Sequence, residues 1–270
     1  MIKTAIKKFT LSFAITSLLM ASSIHAAEMT DSAHATLSFS DGKPSITDLK
    51  QINTVLHTVG VNLSQINITH EAQPILKLSS EMALNPAQQT KILTLFSLDR
   101  QALLNQVYLA NRKPVVADSG DISTEEGVAV YPKIFDMRSL NPETRIAGLL
   151  KSGRLHMNFT DSGQGVDEVM TLVSGGPWAW FFVLKDNVVA KVAFSRVSID
   201  GPGWRISYPG LTPHGAFMGG KDGLCVAYIY GPKIFHMHYD APHIKGTNLL
   251  GTNPWIDFTH KEPLMRSALP

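Results

Sequence analysis

Short apolar segments recur through the second half of the chain at intervals of about 8–12 residues, and turn-forming residues separate them. Examples are 168–173, 178–184 and 224–230, which are rich in β-branched and aromatic residues. Gly, Pro, Asn and Asp fill the gaps, as in Ser-Gly-Gly-Pro at 174–177. Segments with this length and punctuation are typical of β-sandwiches and β-barrels. The region from 128 to 239 is therefore predicted to be a β-domain.

The preceding region, residues 45–112, carries apolar residues at helical rather than alternating spacing. Ser45 and Asp48 are typical of a helix start. Asn85-Pro86 predicts the start of a second helix, because proline fits the first helical position, and Ser97 is predicted to cap a third. A polar stretch rich in Asp, Ser, Thr and Gly then separates this helical arm from the β-domain.

The N-terminus has the pattern of a secretory signal peptide. Lys3, Lys7 and Lys8 precede an apolar run of about 15 residues, and Ala26-Ala27 supply a small-residue exit. A membrane anchor is the competing interpretation, but a spanning helix needs about 20 apolar residues. We therefore predict a signal peptide over residues 1–26 and a mature chain that is periplasmic or secreted, with no membrane as a partner after cleavage.

Composition limits the classes of function. With 44% hydrophobic residues and a net charge of +2, the 270-residue chain is not disordered and can form a full core. Removing the leader with its three lysines leaves 21 basic and 22 acidic residues, so the mature chain carries −1. The basic residues are scattered, which argues against nucleic acid as a partner. Cys225, the single cysteine, lies in an apolar run and is predicted to be buried and unreactive.

The residues that could carry chemistry are mainly histidines. The chain has ten, of which His25 belongs to the leader. Alternation along a strand places His156 and Asn158 on one face, and Glu168 follows them. The three informative groups of histidines and their polar neighbours span residues 156–168, 203–214 and 236–243.

The first group resembles the first of two paired motifs in the cupin superfamily. That motif sets His-x-His on a strand, then a Glu, six residues and a Gly. Here His156 takes the first place, and Glu168 is followed at the family's spacing by Gly175. The sequence departs from the pattern at Asn158, which replaces a histidine and stands further from Glu168 than the usual three or four residues.

The second group resembles the second cupin motif, which runs Gly, five residues, Pro, four residues, His. Gly203, Pro209 and His214 match these spacings. The motif's internal glycine falls at Gly210, one position early, and Met218 replaces its closing Asn. The resemblance covers roughly residues 128–240 and is strongest in this second motif.

The resemblance implies a mainly β fold, a cupin-like jelly-roll barrel with an N-terminal helical arm. It also implies a divalent metal ion, Fe, Mn, Ni or Zn, held by His156, Glu168 and His214, with Asn158 as a weak further oxygen donor. The layout resembles acireductone dioxygenases, although the predicted export argues against that intracellular role. Taken with the leader and the helical region, this predicts four divisions: a signal peptide at 1–26, a helical region at 27–115, a cupin-like barrel at 116–262 and a tail at 263–270.

The third group competes for the same role. His236 and His238 alternate onto one strand face, and Asp240 continues that register. The pattern resembles the metallo-β-lactamase signature, but Ala241-Pro242 follow the Asp where that family has a histidine. If this strand lines the barrel, His236 and His238 are the candidate catalytic residues that orient or deprotonate substrate. The alternative is that both lie in solvent at a strand end.

Two functions from different classes stay open at this point. The resemblance implies a metal-dependent enzyme, a dioxygenase or a lyase/isomerase, that acts on a small organic molecule. The loss of a family histidine at Asn158 favours the alternative, a non-catalytic periplasmic module that binds a small-molecule ligand. No Gly-x-Ser-x-Gly elbow and no phosphate-binding loop occurs in the sequence. The assembly state, a homodimer included, is left open.

Overall fold

The computed structural model describes residues 34–114, 120–126, 130–242, 244 and 248–269. The predicted signal peptide at 1–26 and His243 lie outside the described residues. The strands are β1 (Ala35–Phe39), β2 (Asn62–Ile66), β3 (Asp121–Ile122), β4 (Thr124–Glu125), β5 (Lys133–Asp136), β6 (Met157–Phe159), β7 (Asp167–Gly175), β8 (Trp178–Val183), β9 (Val189–Phe194), β10 (Gly203–Pro209), β11 (His214–Met218), β12 (Gly223–Gly231), β13 (Ile234–His238), β14 (Ile256–Asp257) and β15 (Leu264–Met265). The α-helices are α1 (Leu49–Leu56), α2 (Gln73–Glu81), α3 (Pro86–Leu95), α4 (Arg100–Leu109) and α5 (Pro142–Ser152).

Two antiparallel sheets dominate the fold. The four-stranded sheet has the order β1-β9-β8-β11, and the larger sheet has the order β2-β10-β7-β12-β3, with β5 also paired to β12. A smaller sheet, β4-β13-β6, lies beside them, and an isolated bridge between His156 and His214 joins its margin to β11. The prediction of a mainly β fold is confirmed. Within the described residues the strands form separate sheets rather than one hydrogen-bonded ring.

The buried side chains show how the layers stack. Residues such as Trp180 of the four-stranded sheet and Ile206 of the larger sheet share one core between the two sheets. Helices α2, α3 and α4 cover the outer face of the larger sheet. Leu149 of α5 and Trp255 of the C-terminal segment pack on the outer face of the four-stranded sheet. Most central strands are thus buried on both faces, which explains their nearly continuous apolar sequences.

The N-terminal helices are present as predicted, and their caps explain where they begin. Asp48 accepts a hydrogen bond from the backbone N–H of Gln51, and Asn85 forms a capping box with Gln88. The cap of the third predicted helix is Asp99 rather than Ser97, because the Asp99 carboxylate accepts the backbone N–H of Ala102.

The same N-terminal region also contributes strands to both large sheets. Strand β1 pairs with β9, and β2 pairs with β10. The predicted domain boundary at residue 116 stays a prediction.

Cys225 is fully buried, as expected, and burial raises the pKa of its thiol to about 12. No helix in the described part of the chain is long and apolar enough to cross a membrane.

Candidate metal centre

A cavity of about 160 Å³, which we call the inter-sheet pocket, lies between the two large sheets. It has room for about five water molecules. Its apolar wall includes Met170, Trp180, Ile229, Phe235 and Met237. The structure brings all four members of the predicted metal set to this pocket, namely His156, Asn158, Glu168 and His214.

His156 and His214 lie side by side in the wall of the inter-sheet pocket. Their backbones exchange two hydrogen bonds, of 2.7 Å from His156 N–H to His214 O and of 2.9 Å in the reverse direction. The ring centroids are 4.4 Å apart. A single bridge between two chain segments therefore sets the spacing of the two imidazoles.

Each imidazole is oriented by a hydrogen bond at Nδ1. His156 Nδ1 lies 2.7 Å from the carbonyl oxygen of Arg154, and His214 Nδ1 lies 2.7 Å from that of Thr212. Because a carbonyl oxygen only accepts, each Nδ1 donates, and the Nε2 of each neutral ring keeps its lone pair. Metal-ligating histidines have this arrangement, in which the second ring nitrogen donates to a carbonyl or carboxylate oxygen.

Glu168 occupies the centre of the larger sheet. It lies on β7, directly opposite Tyr208 of β10 on one side and Ile229 of β12 on the other. Its carboxyl group accepts a 2.7 Å hydrogen bond from Asn158 Nδ2 and a second from the Tyr208 hydroxyl. His214 Nε2 lies 3.4 Å from the same carboxyl oxygen, Oε1, that Asn158 contacts.

Burial determines the charge of this group of side chains. It raises the pKa of Glu168 to about 8, although the hydrogen bonds from Asn158 and Tyr208 lower it. Burial lowers the pKa of His214 to about 4 and that of His156 well below its ordinary value. In the chain alone at pH 7 these groups are mainly uncharged, so the contact between His214 and Glu168 is not an ion pair. A divalent cation would favour the ionised form of Glu168.

Asn158 has one polar atom that the protein leaves unused. Its Oδ1 is buried and has no hydrogen-bond partner among the described residues. Such an orphaned acceptor costs about 1–3 kcal/mol unless a ligand, an ion or water satisfies it. The backbone here packs closely, since a Cβ at Gly210 would come within 2.4 Å of Asn158 O. This contact explains the need for glycine at 210.

The donor chemistry of the four residues fits a transition metal. Within the described ranges, no three His, Cys, Asp or Glu side chains already stand where they could hold an ion together. Two imidazole nitrogens, a carboxylate and an amide oxygen are nevertheless ligands that Fe, Mn, Ni and Zn accept. The orphaned Asn158 Oδ1 and the oriented imidazoles are the observations in favour of that fit.

An ion pair lines one side of the inter-sheet pocket. Lys151 Nζ, on α5, lies 2.8 Å from Glu125 Oε1, on β4. The Lys151 side chain is 44% exposed, which places this pair where the pocket meets solvent. Apart from this pair and the central polar residues the lining is mostly apolar, which suits a small organic molecule.

The structure does not bring His236 and His238 to the inter-sheet pocket. Strand β13 turns Phe235 and Met237 toward it, so the alternating histidines face the other way. The His238 ring stacks on Phe159 with centroids 3.6 Å apart, and its Nε2 lies 3.0 Å from Phe159 O. The predicted catalytic role of both histidines therefore loses its geometric basis.

The reasoning from sequence missed two residues that contact the site. The Tyr208 hydroxyl donates to Glu168 and accepts a 3.3 Å hydrogen bond from Trp180 Nε1. Trp180 lies in the predicted apolar segment 178–184 and Tyr208 lies within the second motif, but the sequence pattern gives neither residue a role at a site. The signal for Tyr208 is its place next to Pro209, at the centre of the second motif.

Comparisons with known proteins give little beyond this geometry. No protein-family model matches the sequence, and no curated protein matches it. A similar solved structure is acireductone dioxygenase from Bacillus anthracis with a cadmium ion in its active centre. That chain is 17% identical, with a TM-score of 0.49, and the match covers 74% of this chain and 94% of that one. A likeness at this level carries no information about the chemistry of the present chain.

Proposed function

We propose that this protein is a metal-dependent enzyme that acts on a small organic molecule, an oxygenase or a lyase/isomerase. His156, Glu168 and His214 are the metal ligands, and Asn158 supplies a further oxygen. The observation that carries the proposal is the pair of Nδ1 hydrogen bonds to Arg154 O and Thr212 O, which leaves both Nε2 atoms as lone-pair donors. A bound ion would supply Lewis-acid or redox chemistry.

The other residues of the inter-sheet pocket have roles that follow from their contacts. Glu168 would hold the ion as a carboxylate, with its proton released to solvent, and Tyr208 would keep that carboxylate in place through its hydroxyl. Asn158 donates a hydrogen bond from Nδ2 to Glu168, which leaves its Oδ1 as the atom that would contact the ion. Walls such as Met170 and Met237 exclude water from a bound substrate.

The test is the metal content of the purified mature chain. We expect about one equivalent of Fe, Mn, Ni or Zn in the wild type, and loss of that metal in the His214→Ala variant. His70→Ala changes an exposed histidine and is the matched control, which should keep its metal. Wild-type protein that stays metal-free after incubation with each of the four ions would contradict the proposal.

A second candidate, the non-catalytic ligand-binding module, is favoured by one specific contact. Asn158 Nδ2 donates a hydrogen bond to Glu168 Oε1, so this oxygen has a partner without any ion. A pocket that binds only a small molecule would need such a partner. In that case metal-free protein would bind small apolar molecules, and a Glu168→Gln variant would bind them equally well. Calorimetric titration of chelator-treated protein distinguishes the two candidates.

Export also belongs to the proposal, and it depends on the leader-like N-terminus alone. N-terminal sequencing of protein from the periplasm or the medium of an expression host is the test. A mature terminus at Ala27 would support it, and intact Met1 in cytosolic protein would contradict it.

A further inference from the structure

A second pocket shares no lining residue with the inter-sheet pocket. Its volume is about 310 Å³, and we call it the basic pocket. The lining residues are Met137, Arg138, Leu140, Pro142, Arg145 and Lys221. The charged members are all cations, and they come from three separate segments: the turn after β5, helix α5, and the turn before β12.

Such a concentration of like charge is unfavourable unless something compensates for it. Arg145 forms an ion pair with Glu262, whose Oε1 lies 3.1 Å from Arg145 Nη2. The Asp136 carboxylate is already committed to the backbone amides of Leu84 and Arg138. Three cations line the basic pocket, against the two carboxylates of Glu262 and Asp136, so one positive charge remains in excess there.

Arg145 carries the second observation. Its side chain is 15% exposed, and its Nε atom is buried with no hydrogen-bond partner among the described residues. A buried guanidinium nitrogen without an acceptor is costly, because charged donors lose strong hydration when they are buried. Because this nitrogen has almost no exposed surface, an oxyanion in the basic pocket would accept from it once the guanidinium turns toward the pocket.

We propose that the basic pocket binds a phosphate-type oxyanion, either free inorganic phosphate or the phosphate group of a small organic monoester. Arginine forks match the oxygens of phosphate, and a lysine adds a flexible point charge. Met137, Leu140 and Pro142 form an apolar surface beside the cations, which suits the carbon part of a monoester. The site is independent of the proposed metal centre.

The test is calorimetric titration of the mature, chelator-treated chain at low ionic strength. The probes are inorganic phosphate, glycerol phosphate and acetate. We expect phosphate to bind, glycerol phosphate to bind at least as tightly, and acetate to bind about tenfold more weakly because it lacks the second charge. Tighter binding of inorganic phosphate than of glycerol phosphate would identify the free ion as the ligand. Absence of binding by either phosphate at about 10 mM would overturn the proposal.

Variants locate the binding. Arg145→Gln and Lys221→Gln should each weaken phosphate binding by about tenfold, since each removes a charge-assisted contact. Glu262→Gln should strengthen it, because the competing acid is removed. Lys50→Gln changes an exposed lysine on α1 and should have no effect. Equal binding by the wild type and both cation variants would refute the assignment.

One further variant separates the two pockets. His214→Ala removes a proposed metal ligand and should leave phosphate binding unchanged. If phosphate binding disappears in His214→Ala but persists in Arg145→Gln, the anion occupies the inter-sheet pocket and this inference is wrong. Failure of the metal proposal would leave the phosphate result unaffected.

Discussion

The protein contains two pairs of neighbouring histidines whose environments are opposite. His156 and His214 are 4% and 1% exposed, and their rings lie 4.4 Å apart. His236 and His238 have rings 6.3 Å apart on the face of β13 that turns away from the inter-sheet pocket. His236 Nδ1 lies 3.7 Å from Glu126 Oε2, and His236 Nε2 lies 3.9 Å from Asp161 Oδ1; both carboxylates are largely exposed.

The difference shows that imidazole density alone does not define a site. In the buried pair, backbone carbonyls accept both Nδ1 protons, so each Nε2 keeps its lone pair, and that of His214 lies 3.4 Å from Asn158 Nδ2 and from Glu168 Oε1. In the outer pair, His238 commits its Nε2 to Phe159 O, while His236 faces carboxylates in solvent. Matched tautomers and burial, rather than spacing in the sequence, distinguish a candidate ligand pair.

The most direct test of the difference between the two pairs removes one histidine from each. We expect His156→Ala to lower affinity for Zn²⁺ by more than about 100-fold, because it removes a proposed ligand. His236→Ala should leave the affinity unchanged. Calorimetric titration of both variants with the metal gives the answer, and equal losses in the two would show that the pairs are not distinct in function.

Tyr208→Phe probes the support of the carboxylate in the buried site. The variant removes the hydroxyl that contacts Glu168 and leaves Trp180 Nε1 without its acceptor. We expect metal affinity to fall by about 10- to 100-fold while the protein stays folded. Tyr108→Phe, at a half-exposed position on α4, is the control and should behave as wild type. A Tyr208→Phe protein with unchanged affinity would exclude this positioning role.

The pH dependence of stability sharpens the same contrast in chelator-treated protein. The pKa of Glu168 rises from an ordinary value of 4.5 to about 8 on folding, so its contribution is lost as pH rises toward 8. His214 has the opposite sign, since its pKa falls from 6.5 to about 4 and its contribution is complete above pH 6.5. Between pH 6.5 and 8, therefore, Glu168 is the one of these two groups that still lowers the free energy of unfolding as pH rises.

We therefore expect the unfolding free energy of wild type to fall by about 1–2 kcal/mol more than that of Glu168→Gln across this interval. Urea denaturation at several pH values measures it. Parallel curves for the two proteins would mean that Glu168 is ionised in the metal-free pocket.

The smallest effect is expected at the outer pair. His238→Ala removes the stack on Phe159 and the hydrogen bond to its carbonyl, and should cost about 1 kcal/mol of stability. Metal affinity should not change. Thermal unfolding and metal titration together check this, and a loss of metal without a loss of stability would reverse the assignment of the two pairs.

Much of the fold could be predicted because the central strands have a clear sequence pattern. Strands β7, β8 and β12 are long, mostly apolar runs bounded by turn-forming residues, and the structure has them within a residue or two of the predicted limits. Helix α5 was missed although Asn141-Pro142 carries the signature that correctly placed α3 after Asn85-Pro86. Strand β1 was missed although it alternates buried and half-buried residues.

The site was only partly predictable from the sequence. Polar residues on a strand face outward in some strands and inward in others, so alternation alone does not show which face lines the pocket. On β13 the apolar Phe235 and Met237 point inward, so the histidines between them had to point outward. At His156 and Asn158 the same logic fails, because the intervening Met157 is also buried, on the opposite side of the strand. The place of Tyr208 beside Pro209 marks it as close to the second motif, but its contact with Glu168 depends on the register of β10 on β7, which the sequence does not give.

The backbone pairing around Glu168 differs from the backbone pairing around the two histidines. Glu168 belongs to β7, which is hydrogen-bonded along both edges by β10 and β12. His156 and His214 meet at an isolated bridge between two separate sheets. The carboxylate position therefore depends on one continuous sheet, whereas the imidazole positions depend on how two sheets meet, so a substitution that shifts these sheets should move the imidazoles relative to the carboxylate.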